Sequence, residues 1–206
     1  MKFILFKATV KILFSCYLLL TSFETLALNK FSHQLVCQLS FNYLPIDKQR
    51  EITKLLRVIP KDHKILINKY NKQRANSPLT FAKACTWADA IKKRPIYDKF
   101  KTWHYLNVPR KTQKISRTNI TTNNIVSAIE IHKNQLSQQP IGWMKLQTLM
   151  FLGHWLGDIH QPLHISFSDD KGGNTVKIKN AGRCKNLHWY WDECLSKNKI
   201  YLLNNN

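Results

Sequence analysis

Glycine is scarce in this chain, with six residues in 206. There is no glycine-rich phosphate loop and no nucleophile elbow, so neither a P-loop nor a serine nucleophile on a strand-to-helix turn is available. Regular alternation of strands is also missing, which makes the class mainly helical. No internal repeat and no low-complexity tract interrupts the chain. Acidic side chains are few, 12 against 32 Lys and Arg, leaving a formal charge of +20. Such a balance bears on partners rather than on fold, and points to polyanions such as nucleic acid or to an anionic membrane surface. The apolar run Ile12–Leu20 is too short to span a bilayer. Lys2, Lys7 and Lys11 precede or flank it, and a T-L-A segment ends at Ala27, the pattern of an export signal. Residues 1–27 are therefore expected to be removed, leaving residues 28–206 as one exported domain, secreted or periplasmic. A composition of 44% hydrophobic and 11% aromatic residues suffices for a single core. Losing three lysines and Glu24 lowers the formal charge from +20 to +18. The mature part keeps Cys37, Cys85, Cys184 and Cys194, an even number, so two disulfides are expected, with three pairings open.

What is present concentrates between His154 and Asp192. The chain there reads H-W-L-G-D-I-H-Q-P-L-H, then D-D-K-G-G-N, then N-L-H-W-Y-W-D. His154 and Asp158 stand four apart, as do His188 and Asp192, so each pair projects from one helix face. An imidazole and a carboxylate on one face form a chelating pair for zinc. Pro162 ends the first helix, and His164 follows on a new trajectory. One such pair alone is more often a surface or capping interaction. Here Phe151, Leu152, Trp155, Leu156, Trp189 and Trp191 surround the pairs, and buried charge among apolar residues must be paired or metal-bound. Two pairs and a turn-borne histidine are too many for one metal, which suggests a cluster.

Residues 31–44 carry apolar residues at 31, 35, 39 and 43, the pattern of an amphipathic helix with His33 and Cys37 one turn apart. Asp47 is placed to cap a second helix, with Ile52, Leu55, Leu56 and Ile59 inward and Pro60 as its stop. A polar segment leads to Ser77-Pro78, expected to open a helix running to about Lys93. On it, Cys85 and Asp89 repeat the spacing of His33 and Cys37, so joining Cys37 to Cys85 would bring His33 and Asp89 together. Residues 103–109 look extended and carry His104, which alone reads as a half-buried histidine. Residues 110–124 read as a solvated basic loop containing the sequon Asn119-Ile120-Thr121. Helices are expected at 125–137 and 141–160, and a small hairpin from Gly172.

The runs G-D-I-H-Q-P-L-H, D-x-G-G-N at Asp170–Asn174, N-L-H-x-x-W-D at Asn186–Asp192 and T-W-A-D-A-I at Thr86–Ile91 resemble the single-strand-specific zinc nucleases, the nuclease/3′-nucleotidase family. That family is sister to the zinc-dependent phospholipases C. The resemblance covers residues from Leu28 to about Cys194. It implies an all-α, single-domain, multi-helix phospholipase C/nuclease-like fold with a three-zinc cleft and at most a small β-hairpin. Carried onto this sequence, His154, Asp89 and His104 would hold one zinc, and His164, His188 and Asp192 a second. The third would take His33 with the backbone amine and carbonyl of Leu28, and Asp158 would bridge the first and third. Asp89 and Asp158 are the implied catalytic carboxylates, and His160 is expected to support a ligand from behind. The implied reaction is endonucleolytic hydrolysis of single-stranded DNA and RNA, and of mononucleotides at the 3′ position, by a metal-activated hydroxide, leaving a 5′-phosphate. The resemblance also supports a Cys37–Cys85 disulfide, with Cys184–Cys194 as its complement. A monomer without stable membrane insertion is expected.

Four departures from the family's pattern matter. Leu28 replaces the usual tryptophan. Asn107 and Glu193 replace an aspartate and an asparagine that contact the base, exchanging acid and amide. Lys92 stands where some members have arginine near the phosphate, keeping charge without a bidentate fork. The chain stops 14 residues after Asp192, short for the family. Alternatives are a zinc-dependent phospholipase C and a truncated, non-catalytic zinc- and nucleic-acid-binding protein. Phospholipases carry glutamate at the last ligand and a longer segment before the first histidine, so Asp192 and the short span from Leu28 to His33 favour the nuclease.

Overall fold

A computed structural model describes residues 29–116, 122–180 and 182–195. The expected export signal, Leu28 and the Asn119 sequon lie outside the described residues. Asn29 opens helix α1, Lys30–Tyr43, by accepting the Ser32 backbone N–H at 3.0 Å. Its expected inward row faces out: Phe31 and Leu39 are 49% exposed and Tyr43 88%. Ser32, His33 and Cys37 are buried instead. Covalent and polar partners, not apolar periodicity, decide which face of α1 turns inward, because Cys37 is joined to Cys85. Helix α2, Ile46–Leu55, starts at Pro45, so Asp47 sits in the first turn without capping it. A 3-10 turn, Leu56–Val58, follows.

Lys61–Tyr70 forms helix α3, where a polar connecting segment was expected. Its apolar residues Ile65, Leu66 and Ile67 are consecutive and leave no helical period to read. Two of its buried side chains are polar and hydrogen-bonded. His63 accepts from Trp87 Nε1 at 3.0 Å, and Asn68 Nδ2 donates to the carbonyls of Ala75 and Ser77 at 3.0 Å each.

The single helix expected from Ser77-Pro78 is two short ones, α4 at Phe81–Ala84, capped by Thr80, and α5 at Trp87–Ile91. The chain breaks at Cys85-Thr86, where the Cys85 carbonyl turns aside to accept His154 Nδ1–H at 2.7 Å. A long 3-10 helix, Pro95–His104, leads into strand β1, Leu106–Val108, so the extended stretch begins after His104. Asn124 and Ser127 form a reciprocal cap at the start of α6, Ile125–Gln138. Helix α7, Trp143–Asp158, is the central element and packs against α6, α1 and α5. Trp87, Ile91, Ile67, Ile125, Leu146, Met150 and Trp155, all essentially without exposure, make the core around it.

After a 3-10 turn, Pro162–His164, strand β2, Ile165–Phe167, pairs with β1 in parallel, Leu106 opposite Ile165. This pair replaces the expected hairpin. From Gly172 the chain makes compact turns, with Gly172 and Gly173 at φ 62° and 79°, and keeps one antiparallel bridge, Lys177 to Asn186. Asp170 accounts for the difference: its side chain accepts the Gly173 N–H at 2.8 Å and its carbonyl the Thr175 N–H at 3.1 Å, curling the segment on itself. Asn186 caps a short helix, α8 at Leu187–Trp189, which continues as a π-helical turn, Tyr190–Cys194. Cys184 and Cys194 are joined across it. No helix among the described residues is long and apolar enough to cross a membrane.

Candidate metal centre

One end of α7 supplies His154 and Asp158, a turn apart and buried at 0% and 1% exposure. Around Asp158 four imidazoles converge, that of His154 on the same helix and three from other places. Its Oδ1 lies 3.1 Å from His33 Nε2 of α1 and 3.3 Å from His164 Nδ1. Its Oδ2 lies 2.8 Å from His104 Nδ1, at the end of the long 3-10 helix, and 3.2 Å from His154 Nε2. Asp89 of α5 approaches the same group, 3.6 Å from His154 Nε2 and 4.0 Å from His104 Nδ1. The His33 and His154 rings stack at 3.7 Å. Beside this cluster His164 and His188 stack at 5.1 Å, and His188 Nε2 stands 3.3 Å from Asp192 Oδ2.

These donors fall into three sets, the first two sharing His154: His33, His154 and Asp158; Asp89, His104 and His154; and His164, His188 and Asp192. Within each set the ligand atoms lie within 4.8 Å of one another. Two ligands of a tetrahedral zinc stand roughly 3.3 Å apart, close to most of the separations here. Hydrogen bonding alone leaves the cluster incomplete. His33 Nδ1, His154 Nε2 and His164 Nδ1 are buried with no hydrogen-bond partner, although carboxylate oxygens stand near two of them. An imidazole nitrogen aimed between carboxylates, and bonded to neither, is placed to bind a cation. Two carboxylates, Asp158 and Asp89, also cannot neutralise four protonated imidazoles, so the donor set suits divalent metal better than an ion-pair network.

Electrostatics agree. Burial foremost, then His154, pushes His33 below the usual histidine range, and burial with Lys92 takes His104 down to about 3. Burial opposes ionisation of Asp89 and Asp158, yet Lys92 and then His154 hold Asp89 well below the carboxylate range, and His154 with His164 do so for Asp158. His154 and His164 are held up against burial by Asp158. Ionised carboxylates and neutral imidazoles are the forms a metal requires. Asp89, Asp158, His33 and His104 are pushed toward them, whereas His154 and His164 are pushed the other way and would give up a proton on binding.

The orienting bonds come partly from residues read for other roles, Cys85, Gly172 and Lys92, and partly from two the sequence did not single out, Tyr70 and Gln161. Cys85 and Gly172 each lend a carbonyl, to His154 Nδ1 at 2.7 Å and His188 Nδ1 at 2.8 Å, which leaves Nε2 of both rings facing the centre. Tyr70 donates to Asp89 Oδ2 at 3.2 Å, and Lys92 contacts its Oδ1 at 2.6 Å. Fully buried Gln161 donates to Asp192 Oδ1 at 2.8 Å. The support expected of His160 thus belongs to its neighbour: His160 is exposed and turns to the Leu156 carbonyl at 2.7 Å. Tyr70 was hidden in the segment read as a linker, and Gln161 carried only its place inside the motif as a signal.

A cleft of about 910 Å³ opens over the centre. Lys92, Asn107 and Glu193 line it, with His33, Asp89, Asp158, His164, His188 and Asp192 among its other walls. Leu28 lies outside the described residues, while Asn29, the next residue, lines the cleft. Asn107 Oδ1 is buried with no hydrogen-bond partner. Glu193 is held by Trp189 Nε1 at 2.9 Å and Arg183 at 2.6 Å.

The sequence pattern of the S1/P1 nuclease family matches residues 29–203. Endonuclease 3 of Arabidopsis thaliana is 31% identical over 176 residues, 82% of this chain and 54% of that protein. Endonuclease 5 of the same plant is 35% identical over 124 residues, 54% of this chain and 42% of its own length. Nuclease S1 of Aspergillus oryzae is 32% identical over 116 residues, 54% of this chain and 40% of the fungal protein. The chain spans about half the length of the curated relatives it matches.

Proposed function

The chain belongs to the S1/P1 nuclease family, and from that premise we propose that it is an exported, zinc-dependent enzyme hydrolysing phosphodiesters of single-stranded DNA and RNA to 5′-phosphate products. The observation that carries this is Asp158, buried within 3.3 Å of four imidazole nitrogens while three nearby histidine nitrogens lack any hydrogen bond. Three zinc ions are assigned: one to His154, Asp89 and His104, one to His164, His188 and Asp192, and one to His33 with the Leu28 amine and carbonyl, Asp158 being shared. When bound, they lower the pKa of water toward 7 and offset negative charge on phosphate.

The chain's own residues do the remaining work. Asp89, fixed from either side by Tyr70 and Lys92, orients the attacking water. The Lys92 ammonium, exposed at the cleft, meets a non-bridging phosphate oxygen. Asn107 and Glu193 read the base, and an amide and an acid exchanged relative to the family alter the preference. Hydrolysis rates on the four homopolymers are expected to rank differently from those of a typical relative. Matching ranks would remove the base-site assignment.

Release of 5′-nucleotides from single-stranded DNA and RNA, abolished by a chelator and restored by zinc, is the expected result. Lipid headgroup release without nucleotide release would instead favour the phospholipase, and bound zinc with neither activity a non-catalytic protein. Residues 1–27 are proposed as the removed signal, and processing bears directly on the metal. One extra residue ahead of Leu28 converts its amine to an amide and should remove most activity, and full activity in an unprocessed chain would sink the Leu28 assignment.

A further inference from the structure

Five lysines line the cleft over the donor cluster: Lys30, Lys72, Lys92, Lys101 and Lys171. Three are engaged. Lys92 contacts Asp89 at 2.6 Å, Lys101 contacts Asp98 at 2.6 Å, and Lys30 donates to the Tyr70 carbonyl at 3.4 Å. Lys72 and Lys171 differ. Both are exposed, and among the described residues neither ammonium has a hydrogen-bond or ion-pair partner.

Both also occupy left-handed backbone, at φ 56° and 52°. Only one other described non-glycine residue, Asn180, shares that region. Glycine or asparagine takes it at lower cost than lysine. The two lysines come from unrelated segments, Lys72 two residues beyond the end of α3 and Lys171 in the turn before Gly172. A shared conformational cost, a shared cleft and free charge on both are hard to reconcile with ordinary solubilising lysines. Aromatic faces lie on the same lining, at Phe31, Tyr70, Tyr105 and Trp189. Free ammonium groups interleaved with aromatic faces suit a strand whose bases are unstacked, since backbone charge and base stacking are satisfied together. The cleft's volume, about 910 Å³, is at the upper end for a site holding one small molecule.

Building on the nuclease reading, we propose that Lys72 and Lys171 hold phosphates flanking the scissile one, so that the cleft is built for a single-stranded polynucleotide rather than for a mononucleotide. Each lysine then adds one phosphate contact outside the metal centre. For single strands, log K falls with log salt by about 0.7 per phosphate neutralised.

The test is binding of the zinc-loaded processed chain, beginning at Leu28, to a fluorescent phosphorodithioate-linked thymidine decamer, which keeps one charge per linkage and resists hydrolysis. Anisotropy is read across a range of salt concentrations. The double variant Lys72→Gln/Lys171→Gln is expected to flatten the slope by about 1.4 and to weaken binding most at low salt. Lys61→Gln/Lys133→Gln loses the same charge outside the cleft lining and is expected to leave the slope unchanged. An unchanged slope in the cleft pair, or equal flattening in the control pair, overturns the proposal. Nucleotide release by the wild type on natural DNA is scored separately. Release with lysine-independent binding sinks this proposal alone, whereas lysine-dependent binding without release sinks the nuclease reading alone.

Discussion

Asp158→Asn is expected to lower phosphodiester hydrolysis by on the order of 10³-fold, beyond the roughly 10–100-fold typical of a residue that merely supports a ligand. The side chain keeps its shape but loses the charge around which the centre is arranged. Four imidazoles stand within 3.3 Å of its two oxygens. An amide offers only one acceptor oxygen and turns its N–H₂ toward two of those rings, so one metal position loses its anionic donor and its neighbour is repelled. His154 and His164 also lose the carboxylate that holds them up against burial. Metal content per chain should fall with activity, while the far-ultraviolet dichroism stays close to wild type because the substitution keeps the side chain's shape. Activity within tenfold of wild type at unchanged zinc content would defeat the assignment of Asp158 as a shared ligand.

The second large effect concerns stability. Replacing Cys37 and Cys85 by serine opens a link between residues 48 apart. Loop-closure entropy puts that loss at about 4 kcal/mol. For a chain of this size, 1 kcal/mol moves Tm by roughly 2–4 °C, so a fall on the order of 10 °C is expected. Function should suffer too. Cys37 is one turn from His33, Cys85 one turn from Asp89, and the Cys85 carbonyl orients His154. Packing sharpens the point: a Cβ on Gly153 would lie 2.8 Å from Cys85 Sγ and 3.0 Å from Cys37 Sγ. Helix α7 therefore rests directly on the bridge, and only glycine lets His154 come this near. Thermal unfolding with and without zinc measures both effects; a Tm change under about 3 °C would show that packing, not the bridge, positions α1.

Helical spacing made the centre readable from sequence. His154 with Asp158, His188 with Asp192 and His33 with Cys37 are all four apart, and a helix turns that interval into adjacency without tertiary information. Cys85 and Asp89 share the interval although the helix breaks between them. Long-range placement came from the family's motifs. Periodicity failed where burial is polar or covalently imposed. The apolar row of α1 points to solvent because the bridge and His33 claim the opposite face, and α3 was missed because its inward residues include His63 and Asn68. Hydrogen bonds that turn a carbonyl aside, as at Cys85, split a helix in ways that no local composition announces. The choice of Gln161 over His160 depends on how the chain turns before Pro162, which spacing does not encode.

The donors sit on segments running from His33 to Asp192, and two of the three sets meet at His154 of α7. The two sets that share His154 are complete only when distant parts of the chain have come together, whereas His164, His188 and Asp192 lie within one stretch of sequence. Unfolding therefore scatters at least the two sets that share His154, so a colorimetric zinc dye added to a heated wild-type sample is expected to register release as molecules unfold.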